Sequence, residues 1–134
     1  MRFALVDRGD IHSQRLACEL RKKLEAITWQ EDAEYPERIF CIGGDGTMLR
    51  AIHEYIDQLD TVAFIGIHTG TLGFFTDFTA DEMDEMLQLL AGDAKFEECR
   101  LVEAVFPEKD LVLRALNEIR LESITKTLTL DVSI

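Results

Sequence analysis

Two rhythms of apolar positions alternate along the first ninety-odd residues. Short continuous apolar runs at 3–6, 39–42 and 62–67 have the length and composition of strands buried on both faces. Between them, apolar residues recur at helical spacing. Leu16, Leu20, Leu24 and Ile27 form one such stripe and predict a helix over 12–27, with Ser13 as its N-cap. Met48, Leu49, Ile52 and Ile56 form a second, predicting a helix over 47–57. The acidic stretch 30–37, containing Pro36, reads as a connection or a short edge element. At 79–82, Thr79 with Glu82 three residues later is a capping-box signature. The helix it opens runs to about Ala91, with Gly92 as a C′ residue. Strand and helix alternating in this way predict an open, doubly wound α/β unit over 1–95.

The rhythm then changes. Residues 96–106 and 111–122 read as extended, with a turn at 107–110, and 127–134 alternate strictly, with Leu128, Leu130, Val132 and Ile134 on one face. Consecutive strands without helices predict a second, β-rich domain beginning at 96. Its apolar face is half built at Ile134, so the chain is expected to be a fragment of a longer protein. The alternative is that the last strand packs onto the first unit.

Composition narrows the function classes. Among 134 residues, 14 basic and 26 acidic side chains leave a net charge of −12. That balance argues against nucleic acid or an anionic membrane as a main partner, yet leaves room for a local basic pocket. Cys18, Cys41 and Cys99 are widely spaced and odd in number, without a CxxC pair. Neither a zinc site nor a disulfide framework is expected, and a reducing cytoplasm fits best. Cys41 falls inside an apolar run and reads as a small core residue.

The chemistry concentrates in glycine-rich loops. Gly43-Gly44-Asp45-Gly46-Thr47 follows one predicted strand and opens a helix. Strand, glycine turn and helix start together make a phosphate-handling layout, because backbone amides can approach an anion closely. The loop lacks the lysine of a Walker A motif and the spacing of a dinucleotide fingerprint. Phosphate binding would therefore rest on backbone amides, with Arg50 one helical turn on, although a solvated helix arginine is the commoner role. Asp45 would repel phosphate as a mere binding group. It suits a base or a hydroxyl-orienting group, against the alternative of a turn aspartate capping the helix at Thr47.

A second loop spans 68–75, where Gly70 and Gly73 permit close approach. Phe74 suits a base or nicotinamide pocket and equally a core plug, Phe75 a core plug, and His68 a structural role more often than that of a group titrating near neutral pH. Further on, Asn117 and Glu118 are polar groups in an apolar, strand-like run. They suit adenine and ribose edges, against the alternative of a bulge or strand end. Asp81, Glu82, Asp84 and Glu85 read as a solvated face at a helix start.

Together the GGDGT loop, Gly66-Ile67-His68-Thr69-Gly70-Thr71-Leu72-Gly73-Phe74 and Ala115-Leu116-Asn117-Glu118 resemble the three motifs of the NAD kinase family, in order and spacing. The resemblance implies a Rossmann-like fold of NAD-kinase type, followed by the first strands of a truncated all-β domain. It implies ATP-dependent phosphorylation of the 2′-hydroxyl of the adenosine ribose of NAD to give NADP. Asp45 is then the catalytic group, and Asp45, Gly46, Phe74, Asn117 and Glu118 would bind NAD. Gly43, Gly44, Thr47 and Arg50 would serve the phosphates, and Mg2+ would arrive with ATP. A homodimer or tetramer is the implied assembly of the full-length protein. A lipid kinase, or a nucleotide-binding module without activity, shares only the first loop.

Overall fold

The computed structural model describes residues 1–70, 73–92 and 94–120. It divides into two compact units, Met1–Glu98 and Cys99–Ile134. The first unit holds a five-stranded sheet: β1 (Arg2–Asp7), β2 (Gln30–Glu31), β3 (Arg38–Gly43), β4 (Ala63–His68) and β5 (Phe78–Thr79). Their order is β2-β1-β3-β4-β5, and every pairing is parallel. β3 is central and has five of its six residues buried, which its unbroken apolar run requires. The stretch at 30–37 contributes only the two-residue edge strand β2.

Helix α1 (Ile11–Ala26) lays Leu16, Ala17, Leu20 and Leu24 on the sheet against Phe3, Phe40, Ile42, Ile65 and Ile67, with Met83 and Met86 completing the core. Full burial of side chains such as Phe40 and Leu20 stabilises by about 1.5–3 kcal/mol each. Two expectations for α1 are corrected. Its N-cap is Asp10, whose carboxylate accepts from the His12 and Ser13 amides at 3.0 and 3.1 Å. Ser13 lies inside the first turn, fully buried, and its hydroxyl donates to the Asp10 carbonyl at 2.9 Å. Ile27 falls beyond the last helical residue, and there the chain turns away through Thr28 at φ 66°, leaving Ile27 exposed.

Helix α2 (Asp45–Glu54) starts and stops earlier than the apolar stripe predicts, and Ile56 belongs to a separate 3-10 turn, Ile56–Gln58. Before α3 (Met83–Ala91), the capping box forms as read: the Thr79 amide donates to the Glu82 carboxylate at 2.7 Å. Gly92 caps α3 at φ −102°, outside the left-handed region expected of a C′ glycine.

The second unit contains an antiparallel hairpin of β6 (Val102–Phe106) and β7 (Leu111–Ala115), joined by a 3-10 turn at Pro107–Lys109 and Asp110 at φ 48°. Arg114 and Glu103, directly opposite in the register, pair at 2.8 Å. The alternating stretch 127–134 lies outside the described residues.

Candidate active site

In the first unit the chain leaves β1 through α1 to reach β2 on one side, then returns to β3 on the other side of β1. A doubly wound sheet opens a crevice where its winding reverses, outside the carboxyl ends of the two strands concerned. Here those ends are Asp7 and Gly43. The register sets them nearly level, with Asp7 opposite Ile42 and Gly43 opposite His68 of β4. Three turns therefore converge at one edge of the sheet.

The turn after β1 is stiffened from within. The Gly9 amide donates to Asp7 Oδ1 at 2.7 Å, and Gly9 adopts φ 95°, which glycine tolerates. The Arg8 amide donates to the Ile42 carbonyl at 3.0 Å, and Arg8 Nε reaches Asp10 Oδ2 at 2.7 Å. That Arg8 contact is the main reason the Asp10 carboxyl is held well below the usual carboxylate range. Arg50, on α2, donates to the Asp7 carbonyl. Arg8, Gly44, Gly46, Thr47 and Arg50 line an open cleft of about 260 Å³. Side-chain space is free at Gly44 and Gly46, where an added Cβ would meet nothing within 4 Å. Two guanidinium groups, exposed loop backbone and the start of α2 make this cleft suited to an anion, despite the acidic chain around it. Arg8 escaped the sequence reading. The available signal was a basic residue directly after the first strand of a doubly wound unit.

Asp45 is the first residue of α2, and it does not cap that helix. Gly44 is the N-cap, and the Thr47 amide donates to the Gly44 carbonyl at 2.9 Å. The Asp45 carboxylate instead turns to the second loop: Oδ2 accepts from the Phe74 amide and Oδ1 from the Phe75 amide, each at 3.0 Å. An added Cβ at Gly73 would overlap this carboxylate, with Asp45 Cγ at 2.7 Å. Asp45 thus joins the two glycine loops.

Gly43, Gly44, Asp45, Gly46, Thr47, Arg50 and Phe74 all belong to this region of the first unit. Phe74 is 97% exposed, a bare ring beside the Asp45 contact. Phe75, expected in the core, is half-buried. His68 Nδ1 contacts the Gly70 carbonyl at 2.9 Å, which gives it a turn-holding role. Asn117 and Glu118 belong to the second unit, exposed and past the end of β7 rather than within a strand. Cys41 is core: burial pushes its thiol up to about 12, too high for a nucleophile at neutral pH. The acidic group at 81–85 is exposed, with Glu82 spent on the cap and Asp84 paired with Lys23 at 2.7 Å.

Comparison with known proteins meets this geometry directly. The family model for the ATP-NAD kinase N-terminal domain matches residues 13–94. NAD kinase 1 of Bacillus subtilis (strain 168) is 35% identical over 139 positions, covering 100% of this chain and 52% of the relative. NAD kinase of Streptococcus mutans serotype c is 37% identical over 143 positions, covering 100% and 50%.

The chain belongs to the NAD kinase family.

It spans about half the length of the curated relatives it matches. The fold extends further than the sequence likeness. A crystal structure of yeast NADH kinase complexed with NADH superposes with a TM-score of 0.67 at 16% identity, over 87% of this chain and 47% of that one. The residues matched by the family model include β3, the GGDGT loop and the start of α2. Among the described residues, no helix is long and apolar enough to cross a membrane.

Proposed function

We propose that the full-length gene product transfers the γ-phosphoryl group of ATP to the 2′-hydroxyl of the adenosine ribose of NAD, giving NADP and ADP. One observation carries this reading: the Asp45 carboxylate is held by the loop that bears a bare phenylalanine, while its chain neighbours Gly44 and Gly46 line a cationic cleft. In the proposed step Asp45 takes the proton of the 2′-hydroxyl. The freed oxygen forms a bond to the γ-phosphorus, and the bond from that phosphorus to the β–γ bridging oxygen breaks. Most of the barrier to such a transfer is removed by positioning and charge neutralisation, which backbone amides and guanidinium groups supply. Gly43, Gly44, Thr47 and Arg50 would hold the phosphates, with Arg8 added from the turn after β1. Gly46, Phe74, Asn117 and Glu118 would hold NAD, the last two from the β-rich domain that we take to begin near residue 96.

Magnesium fits as a companion of ATP. Among the described residues, no group of three or more His, Cys, Asp or Glu side chains is placed to hold a metal. A Mg2+ ion would arrive with the triphosphate, keeping several of its waters. It would offset phosphate charge there. The three thiols are free, which supports a reducing, cytoplasmic setting. A homo-oligomer is proposed from the family alone. A lipid-kinase reading accounts for the loop at 43–47 but leaves the grip of the second loop on Asp45 without a use.

The test is NADP formation from NAD and ATP by the full-length gene product and its Asp45→Asn variant. Loss of a general base costs about 10²–10⁴-fold in turnover, with NAD binding kept within a few-fold. Equal turnover in the two proteins would overturn the role of Asp45.

A further inference from the structure

The second glycine loop holds more structure than a ligand-lining loop needs. Its return limb, residues 73–77, lies directly on β4. An added Cβ at Gly66 would overlap the Phe75 carbonyl oxygen and stand 2.7 Å from Thr76 Cα. The Asp77 amide donates to the Gly66 carbonyl at 3.0 Å, which pins the limb to the strand. Thr76 is buried, at 7% exposure, and its Oγ1 accepts from the Gly73 amide at 3.1 Å. That bond closes a tight turn whose next two amides, Phe74 and Phe75, point together at the two oxygens of Asp45. Two donors on two oxygens of one carboxylate fix its plane as well as its position.

We infer that this limb is the positioning element for Asp45, with Thr76 and Gly73 as positioning residues. The inference rests on the proposed catalytic role of Asp45. Thr76 shapes the turn that aims the amides, and Gly73 leaves the space that the carboxylate fills. Backbone amides suit the task because they bring no side-chain freedom of their own. Gly73→Ala pushes the carboxylate out of line, because the added Cβ would overlap it.

Amide hydrogen exchange and steady-state kinetics on the full-length gene product test it together. In Asp45→Ala the Phe74 and Phe75 amides should exchange about tenfold faster or more than in the wild type. Thr76→Val and Gly73→Ala should each lower kcat about tenfold or more, with KM for NAD within about twofold. Thr76→Ser, which keeps the hydroxyl, should stay within about twofold of wild-type kcat. Unchanged exchange in Asp45→Ala overturns the contact. Faster exchange with wild-type kcat in both Thr76→Val and Gly73→Ala overturns the positioning role. Equal loss in Thr76→Ser and Thr76→Val also overturns it, since the effect then does not follow loss of the hydroxyl. Full activity in Asp45→Asn overturns the catalytic reading beneath it and leaves the exchange result to report on the contact alone.

Discussion

The two glycine loops of the first unit share a composition and use it in opposite ways. At 43–47, Gly44 and Gly46 face empty space, since a methyl group at either would touch nothing within 4 Å. In the second loop Gly73 is pressed against Asp45, and Gly66 of the preceding strand β4 against the returning backbone, while Gly70 is open like Gly44 and Gly46. In the first loop glycine leaves room for something from outside. In the second it lets the protein approach itself. The difference separates glycines that leave open space from glycines that serve packing, and sequence alone does not mark it. Gly43 shows that the division runs within a loop as well, since a Cβ there would stand 2.9 Å from Thr47 Cβ.

Substitutions can break that comparison. The largest effect is expected at Gly46. Gly46→Ala should leave the melting temperature unchanged or slightly raised, because alanine is the better helix residue, while kcat/KM for NAD falls about a hundredfold. A lost fold with an intact site would reverse the assignment. Gly66→Ala should do the opposite, lowering stability by about 1–3 kcal/mol through overpacking against backbone, measured by denaturant titration. Arg8→Ala should raise KM for ATP about tenfold, the scale of one charge-assisted hydrogen bond, and barely change KM for NAD. An equal rise in both would place Arg8 outside the donor-phosphate cleft.

The smallest effect is a pH dependence at the neighbouring turn. The Arg8 contact, the Ser13 amide and the Ser13 hydroxyl depress the folded-state ionisation of Asp10 below its ordinary 3.8. A depressed carboxylate contributes stability that is present above its unfolded value and is lost as pH falls through the folded one. Asp10→Asn should therefore melt a few degrees below wild type at neutral pH. The gap should close only as pH drops below about 4. A gap that persists unchanged at lower pH would assign the cap to hydrogen bonding without charge.

Much of the fold was legible because the same apolar runs that form strands must be buried on both faces, and the stripes between them must cover those faces. Local competition was harder to read. Asp10 and Ser13 are both good caps three residues apart. Asp10 prevails because its carboxylate accepts two amides and Arg8 at once, leaving Ser13 to be buried in the turn it helps close. Ile27 continues a periodic stripe, yet the helix has already ended before it. Periodicity reports which residues would share a face, not where hydrogen bonding stops. Arg8 was invisible for a different reason. It sits 42 positions from Arg50 in the chain, and only the return of β3 beside β1 brings both to one cleft.

By itself, the sequence determined the family and the alternation of strands and helices, and it singled out Asp45 as the candidate catalytic residue. These depend on local composition and spacing, which a linear chain displays in full. Tertiary structure alone decided what Asp45 does between ligands: its carboxylate is held by two amides some thirty residues away, in a gap that Gly73 leaves open. That contact depends on two parallel strands ending level. The level ending is set by register across the sheet, and no local pattern records it.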